Sequence, residues 1–353
     1  MREMIMETTI KILEKHATKE IVNAAESGIW PEALWSAFYE NGLTAAGMPE
    51  LLGGSGGDVA DAFAILRLAG KYAAPIPLAE TYIANWLLTS IGEQVTGEVV
   101  TVSSCTENLH FEKTESGLNV SGTVKDVPYA RFAQKMLAYS AETAVLLDLS
   151  KAEIKQGQNL AGEARDAVSF HNVQMEGKLL PAQAEDLRKK QYYLGALTRT
   201  VMMAGALDRI LELTVNYVKE REQFGKPLHR FQAVQHHLAL IAGEVAAAGI
   251  AAEYAVAFYE KNPFPKEIAL AKIRVNEAAG KASAIAHQVL AAIGFTHEHS
   301  LHHSTRRLWS WRDEYGTETD WEAVLTEILL QTKSSDLWSL LTGVENRTEK
   351  VEL

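Results

Sequence analysis

The sequence predicts a mainly α-helical protein with a small β domain in the middle of the chain. Three observations support this fold class. Apolar residues recur at the helical period up to about residue 91, the period changes to two between about residues 99 and 174, and the helical period then returns. We expect an N-terminal helical domain at 1–98, a central β-barrel-like domain at 99–177 and a C-terminal four-helix bundle at 178–353.

The N-terminal block contains predicted helices with recognisable breaks between them. Pro31 stands at the first-turn position of one helix, and Asn41-Gly42 ends it. The glycine-rich run from Leu51 to Asp58 has the composition of a phosphate-binding loop. It lacks both a preceding strand and a following Gly-Lys-Ser/Thr, so we interpret it as a loop between two helices.

The middle of the chain and the last block are predicted from changes in the spacing of apolar residues. Short alternating runs bounded by turn residues predict strands at 99–102, 117–122, 144–149 and 168–173. The 3.6-residue spacing of the last block predicts two long helices, one carrying Leu207, Ile210, Leu211, Thr214 and Val218, and the next carrying Val234, Leu238, Ile241 and Val245. A third helix is predicted up to Ala292 and a fourth over 321–341.

Charge and composition exclude several classes of protein. The chain has 34 Lys plus Arg against 45 Asp plus Glu, a net charge of −11, which is opposite to the charge that nucleic acid binding requires. The single Cys105 excludes an intrachain disulfide framework and a cysteine-rich metal site, and no neighbouring basic cluster would activate it as a nucleophile.

The apolar segments do not predict a membrane protein. Arg199, Glu244 and Glu253 interrupt the longest apolar runs, so we predict no membrane span. Charged residues are mixed into the first 15 positions, unlike the apolar core of a secretory signal. We therefore expect a cytoplasmic protein.

Four histidines between positions 297 and 303 raise the question of a metal site. His299 and His303 would share a face if this segment were helical. The His-Glu-x-x-His order of a zinc enzyme is absent, so we predict no metal site here.

The most informative segment runs from Tyr217 to Leu228. We interpret it as the end of a helix at Gly225, followed by a new helix that begins near Phe231. Arg221 would interact favourably with the negative end of the helix dipole. It also offers a fork of donors, and Phe224 offers an apolar wall, so these residues would equally suit a pyrophosphate group.

This segment resembles the signature of the acyl-CoA dehydrogenase family, in which a Tyr is followed by Glu-Arg-x-Gln/Thr-Phe-Gly and, further on, by Phe-Gln. The matching residues are Tyr217, Glu220-Arg221, Gln223-Phe224-Gly225 and Phe231-Gln232. Residues 288–298 resemble the family's Gln-x-x-Gly-Gly-x-Gly-Phe segment, and 42–54 resemble a loop of its N-terminal domain. The resemblance covers nearly the whole chain and implies the family's helical, β, helical architecture.

The resemblance also implies an FAD site between the β domain and the C-terminal bundle, with part of the site supplied by a neighbouring subunit. The residues implied for cofactor binding are Arg221, Gln223, Phe224, Gln288, Ala292 and Gly294. Two features depart from the family. Ala291-Ala292 replaces its Gly-Gly pair, and the region 101–113 has Cys105-Thr106-Glu107-Asn108 in place of the run Thr-Glu-Pro-x-x-Gly-Ser-Asp.

A third departure concerns the base that takes the α proton. In the family a Glu precedes a Gly and stands nine residues after an Arg; counting from Arg306 leads to Tyr315, before Gly316. The family's second location for this Glu corresponds to Gly195. A desolvated carboxylate is suited to the proton transfer, and Glu314 is adjacent to the expected position. We predict Glu314 as the base, with an exposed surface acid as the alternative interpretation.

The sequence thus predicts a flavoprotein oxidoreductase of lipid metabolism that dehydrogenates an acyl-CoA thioester between its α and β carbons. The resemblance implies a tetramer of this chain, or of this chain with a related acyl-CoA dehydrogenase subunit, and electron-transfer flavoprotein as a candidate electron acceptor. The alternative is a non-catalytic subunit that completes a partner's FAD site through Arg221 and Gln223. The Tyr at position 315 favours this alternative.

Overall fold

The structure is a computed structural model that describes residues 2–103, 108–114, 117–139, 144–175, 178–180, 184–259 and 265–342. Cys105, Thr106 and Glu107 lie outside the described residues. The N-terminal domain contains helices α1 (Arg2–His16), α2 (Lys19–Glu26), α3 (Glu32–Glu40), α4 (Val59–Lys71) and α5 (Leu78–Ser90). The glycine-rich run lies between α3 and α4, as predicted, and Asp58 caps α4 by exchanging hydrogen bonds with Asp61.

The β domain consists of two sheets. Its strands are β1 (Val100–Val102), β2 (Leu109–Thr114), β3 (Gly117–Pro128), β4 (Lys135–Tyr139), β5 (Ala144–Asp148), β6 (Glu153–Lys155), β7 (Arg165–Met175) and β8 (Lys178–Leu180). In the described part of the chain they form two four-stranded sheets, with the orders β1-β4-β5-β8 and β2-β3-β7-β6. Pro128 at the end of β3 pairs with Arg165 at the start of β7, which places Arg165 at the end of its sheet.

The C-terminal block is helical and is organised around its first helix. Its helices are α6 (Ala184–Glu220), α7 (Gln232–Tyr259), α8 (Pro265–Leu290), α9 (Leu301–Asp313), α10 (Glu318–Gln331) and α11 (Leu337–Thr342). Helix α6 packs against α7, α8 and α9 of this block and also against α4 and α5 of the N-terminal domain. This double packing explains why α6 is buried along most of its length.

The predicted fold class is confirmed, but two local predictions were wrong and one helix was missed. Helix α6 ends at Glu220 instead of Gly225, because Phe224 and Gly225 adopt φ values of 54° and 77° and close a tight hairpin between β9 (Glu222–Gln223) and β10 (Lys226–Pro227). The single helix predicted over 321–341 is two helices, α10 and α11. Helix α9 was not predicted, because its sequence is mostly polar and its buried face binds other side chains instead of a purely apolar core.

Helix α7 is unusually apolar for its position. By length and composition alone it could cross a membrane. In the fold, 33% of its most apolar 18-residue window is buried. Two acids within it form ion pairs with neighbouring helices, Glu244 with Arg274 and Glu253 with Arg67. Leu240 and Ile250 stay exposed. The described part of the chain therefore leaves a large apolar surface on α7 uncovered.

Helices α4 and α6 cross at a pair of glycines. A Cβ on Gly205 would lie 1.9 Å from the backbone oxygen of Arg67, and a Cβ on Gly70 would lie 2.1 Å from that of Met202. Backbone atoms cannot rotate away as a flexible side chain can, so the contact requires glycine on both helices. This close crossing fixes the N-terminal domain against the C-terminal bundle.

Replacing Gly205 by Ala should therefore lower the free energy of unfolding by about 1–3 kcal/mol, because the two helices must separate. The control is Gly280→Ala in α8, where a Cβ would meet only the flexible end of Arg312, at 3.4 Å. This control should be neutral or slightly stabilising, since Ala favours a helix by up to about 1 kcal/mol over Gly. Urea unfolding followed by circular dichroism measures the free energy of unfolding of both variants. Equal changes in Gly205→Ala and Gly280→Ala would show that the crossing is not tightly packed.

Candidate active site

The two positions that correspond to the family's glutamates meet in space. Gly195 lies in α6, and Tyr315 lies in the turn after α9. A Cβ on Gly195 would be 2.3 Å from the Cδ1 atom of Tyr315, so the phenol ring lies directly on the glycine. Two positions 120 residues apart in the sequence are thus in contact in the fold.

The turn that carries Tyr315 has a strained backbone held by aromatic neighbours. Tyr315 has a φ of 55° and Gly316 a φ of 98°. Trp321 donates from Nε1 to the carbonyl oxygen of Tyr315 at 3.0 Å, and the ring of Tyr192 stacks on Trp321 with centroids 5.4 Å apart. A Cβ on Gly316 would lie 2.3 Å from the Tyr192 hydroxyl, so only glycine fits there. Burial raises the pKa of the Tyr315 phenol, which stays protonated at neutral pH.

Glu314 precedes this tyrosine and is held by two arginines. Its Oε1 accepts from Arg165 at 2.5 Å, and its Oε2 accepts from Arg199 at 2.5 Å. Burial alone would raise the pKa of Glu314, but the charges and hydrogen bonds of Arg165 and Arg199 outweigh it and lower the pKa to about 2. Glu314 is therefore ionised at neutral pH and is a weak base in this arrangement.

The two arginines belong to a longer series of buried ion pairs, which we call the interdomain ion-pair chain. Its members alternate in charge and come from all three domains: Glu80, Arg199, Glu314, Arg165, Glu163, Arg307, Glu26 and Arg306. Five of its members have side chains that are 8% exposed or less: Glu80, Arg199, Arg165, Glu163 and Arg307. The four positive and four negative charges balance, which is the condition under which buried charges are tolerated.

Glu314 also borders an open cavity of about 640 Å³ between the β domain and the bundle. The bundle contributes Tyr192, Trp309, Ser310, Asp313, Glu314, Tyr315 and Gly316 to its wall, and the β domain contributes Val102, Asp126, Pro128, Gln158, Asn159, Leu160 and Arg165. The side chain of Glu314 is 21% exposed, whereas that of Arg199 behind it is 2% exposed. The cavity thus meets the ion-pair chain at its accessible carboxylate, and its volume suits a small-molecule ligand.

The first group of predicted cofactor residues lies on the hairpin that follows α6. Arg221, Gln223 and Phe224 are all exposed, and the side chain of Phe224 is 92% exposed. Phe224 contacts Phe231 edge to face at 6.2 Å, and Lys226 lies over the Phe231 ring at 4.3 Å. Within the described residues, the Arg221 side chain forms no ion pair, so its donors are available to a ligand or to another subunit.

The second group lies at the C-terminal end of α8. Gln288 and Ala292 are exposed, but Gly294 is buried, and a Cβ there would lie 3.0 Å from Leu290. Packing within the chain therefore accounts for this glycine without a ligand. Ala291 has a φ of 53°, a left-handed conformation that glycine adopts more easily than alanine. Neither group borders the cavity next to Glu314.

The histidine segment forms contacts between domains. Ligand atoms of Glu26, His302 and His303 lie within 4.8 Å of one another, a spacing that a metal ion could bridge. However, Glu26 is already paired with Arg306 and Arg307, and His303 Nε2 lies 2.7 Å from the side-chain oxygen of Asn23. Burial lowers the pKa of His303 to about 3, so it stays neutral in this environment.

Sequence reasoning missed the partners of Glu314. Arg199 entered the sequence analysis only as a charge that interrupts an apolar run, and Arg165 was not considered. A charged residue in the middle of an otherwise buried helix is itself a signal, because such a charge requires a buried partner. The signal does not identify the partner, since Glu314 is 115 residues away.

Comparisons with known proteins agree with this architecture. The family model described as the acyl-CoA dehydrogenase N-terminal domain matches residues 1–96, and that described as the acyl-CoA dehydrogenase C-terminal domain matches 189–318. The chain is 30% identical over 310 residues to the acyl-CoA dehydrogenase IpdE2 of Mycolicibacterium smegmatis, covering 85% of this chain and 89% of that relative.

Solved structures show the same fold at lower sequence identity. The ChsE4-ChsE5 complex from Mycobacterium tuberculosis contains a chain that matches with a TM-score of 0.85 at 21% identity, covering 94% of this chain and 98% of that chain. Butyryl-CoA dehydrogenase from Megasphaera elsdenii matches with a TM-score of 0.85 at 19% identity and the same coverage.

The lowered pKa of Glu314 has a consequence for stability. Its ordinary pKa is 4.5 and its folded pKa is about 2, so the unfolded chain binds the proton more readily. The stabilisation is complete above about pH 4.5, amounts to roughly 3 kcal/mol, and is lost as the pH falls towards 2. Glu314→Gln should thus be less stable than the wild type near pH 6, and the difference should narrow below pH 4.5. Urea unfolding across pH 3–6 measures the free energy of unfolding of both proteins, with Glu322→Gln at an exposed position as the control. A constant difference between the wild type and Glu314→Gln over this pH range would contradict the prediction.

Proposed function

The chain belongs to the acyl-CoA dehydrogenase family of oxidoreductases, and from this premise we propose that it acts as a subunit of an FAD-dependent enzyme that dehydrogenates an acyl-CoA thioester. One observation carries the proposal: both family glutamate positions, Gly195 and Tyr315, meet beside the cavity between the β domain and the bundle, where Glu314 places a carboxylate. This is a concave, partly buried place where a thioester could enter from solvent.

The exposed residues at the ends of α6 and α8 fit one half of a dinucleotide site. Arg221 carries a free guanidinium fork that suits a pyrophosphate, and exposed Phe224 offers an aromatic face for a purine ring. When bound, FAD would accept the hydride that leaves the β carbon of the substrate. Because neither residue group borders the Glu314 cavity, we infer that Arg221, Gln223 and Phe224 serve the cofactor of a neighbouring subunit.

Glu314 is the carboxylate of this chain that we propose to accept the α proton. Both of its oxygens are occupied by Arg165 and Arg199, so accepting a proton requires that one of these hydrogen bonds be weakened when substrate fills the cavity. Removing water from the cavity would raise the basicity of Glu314, since burial acts in that direction. Tyr315 is unsuited to the same step, because burial raises the pKa of its phenol.

The ion pairs of Glu314 also favour a second candidate function. A carboxylate with a pKa near 2 that neutralises two buried arginines has a structural role that needs no proton transfer. Tyr315 meanwhile fills the space against Gly195 in which a family glutamate would work. In this second function the chain completes the FAD site of a related subunit, and that subunit supplies the base.

Both functions require an assembly of several chains, and α7 supports one. Only 33% of its most apolar window is buried, and Ile250 on it is 68% exposed. An apolar surface of this kind is typical of subunit interfaces. We propose that α7 and the hairpin at 222–227 contact a second copy or a related subunit in a tetramer, and that electrons leave through an electron-transfer flavoprotein.

Glu314→Gln separates the two candidate functions. If Glu314 accepts the proton, flavin reduction by octanoyl-CoA or 3-cyclohexylpropanoyl-CoA should slow by about 100- to 10,000-fold, as is usual for loss of a general base. The matched control is Glu80→Gln, which removes another carboxylate from Arg199 away from the cavity. Anaerobic stopped-flow absorbance of the flavin-containing assembly measures the rate. A rate within a few-fold of the wild type for Glu314→Gln, or equal losses in both variants, would favour the structural function.

Arg221→Ala tests the cofactor assignment. Loss of charge-assisted hydrogen bonds, about 1.5–3 kcal/mol, should weaken FAD binding by about 10- to 100-fold. The control is Lys219→Ala, which removes a cation from the last turn of α6. Titration of the apo-assembly with FAD, followed by flavin fluorescence, gives both dissociation constants. Unchanged affinity in Arg221→Ala would refute the assignment.

A further inference from the structure

Lys272 is a lysine in the interior of the C-terminal bundle. It lies on α8, and its side chain is fully buried. Its Nζ donates to the carbonyl oxygen of Trp311 at 2.9 Å and to that of Arg312 at 3.1 Å. In the part of the chain that the structure describes, the ammonium group forms no ion pair with a carboxylate. Both of its acceptors belong to the last turn of α9.

This position is unfavourable for a charge. Burial lowers the pKa of Lys272 to about 7, although the carboxylate of Glu314 acts in the opposite direction. The negative end of the α9 dipole offsets part of the cost. An apolar side chain of similar length would fill the same space without desolvating an ammonium group. The contact with the α9 carbonyls is therefore what distinguishes lysine from an apolar residue here.

Helix α9 needs such a contact because of how it ends. Many helices end on a glycine with positive φ, whose amide satisfies the last carbonyls. Here the next residue, Glu314, is extended, with φ −75° and ψ 135°. Side chains from α8 take over this function: Lys272 binds two of the carbonyls, and Asn276, one turn later, donates to Arg312 O at 3.1 Å.

The chain then enters the turn 314–316, which is held from three other sides. Arg165 and Arg199 bind the Glu314 side chain, and Trp321 binds the carbonyl of Tyr315. Arg312 reaches across the turn to Glu318, at 2.6 Å. Lys272 and Asn276, which bind the end of α9 from α8, are both fully buried.

We propose that Lys272 is a positioning residue, which caps the C-terminal end of α9 and thereby holds the turn 314–316 with Glu314 at the cavity wall and Tyr315 on Gly195. The effect of Lys272 on the reaction rests on the proposed function. The existence of the cap is independent of that function, because the cap forms within the chain alone.

Lys272→Met tests the proposal, because Met is similar in length and removes only the donors. We expect amide hydrogen exchange in peptides covering 309–317 to be roughly 10- to 100-fold faster, the equivalent of losing hydrogen bonds from a charged group. Exchange in the rest of α8 should be unchanged, and the melting temperature should change little, because removal of a buried charge offsets the loss of a donor to the α9 carbonyls. The control is Lys266→Met in the same helix, which removes a donor to Leu340 O of α11 and an ion pair with Glu267, and which should leave 309–317 unaffected.

Two results would overturn the proposal: unchanged exchange at 309–317, or faster exchange spread along α8 together with a lower melting temperature. Asn276→Leu provides a second variant, which removes only the donor to Arg312 O and should accelerate exchange in the same peptides to a smaller extent. If amide exchange at 309–317 is not accelerated in Asn276→Leu, this result would contradict the capping geometry.

A kinetic readout connects the cap to the reaction. In an assembly that octanoyl-CoA reduces, Lys272→Met should slow flavin reduction while FAD content stays at the wild-type level. An unchanged rate with faster exchange would limit Lys272 to the fold and overturn its positioning role. If the wild-type assembly reduces no flavin with any acyl-CoA, the proposed function fails, whereas hydrogen exchange still decides whether Lys272 caps α9.

Discussion

Charge neutralisation along the interdomain ion-pair chain is the constraint on which the relative placement of the three domains depends. Glu26 and Glu80 belong to the N-terminal domain, Glu163 and Arg165 to the β domain, and the remaining members to the C-terminal block. A buried charge that loses its partner costs about 3–5 kcal/mol. Separating the domains would therefore leave buried charges without their partners, and the cavity between the domains takes its shape from the arrangement that keeps these charges paired.

Glu314 connects this constraint to the chemistry. It is the carboxylate of the ion-pair chain that borders the cavity, with a side chain 21% exposed. The two arginines that make it a good structural carboxylate also make it a weak base, because they stabilise its ionised form. Stability and basicity therefore oppose each other at one residue. This opposition is the physical reason why we propose both a catalytic and a structural function for Glu314.

The surface of the bundle complements this buried arrangement. Ion pairs, helix caps and the glycine crossing of α4 with α6 connect elements in the interior, but the hairpin with Arg221 and the outer face of α7 are left exposed. An exposed guanidinium and an exposed apolar helix face are both stabilised when another chain covers them. The exposed hairpin and the exposed apolar face of α7 are consistent with a subunit of a larger assembly.

The amino-acid sequence by itself determined the order of the domains and most of their elements, because helical and strand periods are properties of neighbouring residues. It also located the hairpin segment and placed Glu314 beside the family's catalytic position. It missed helix α9 and extended α6 to Gly225, since a polar helix with specific partners has no apolar period and a two-residue hairpin resembles a helix end.

Only the tertiary structure decided what surrounds Glu314. Arg165 is 149 residues from it in sequence and Arg199 is 115, while Lys272 fixes the preceding helix from α8. No local pattern encodes such pairs, because they form only when three domains pack together. The identity of a candidate base could thus be predicted from its position in the chain, whereas its pKa depends on charges that only the fold brings within hydrogen-bonding distance.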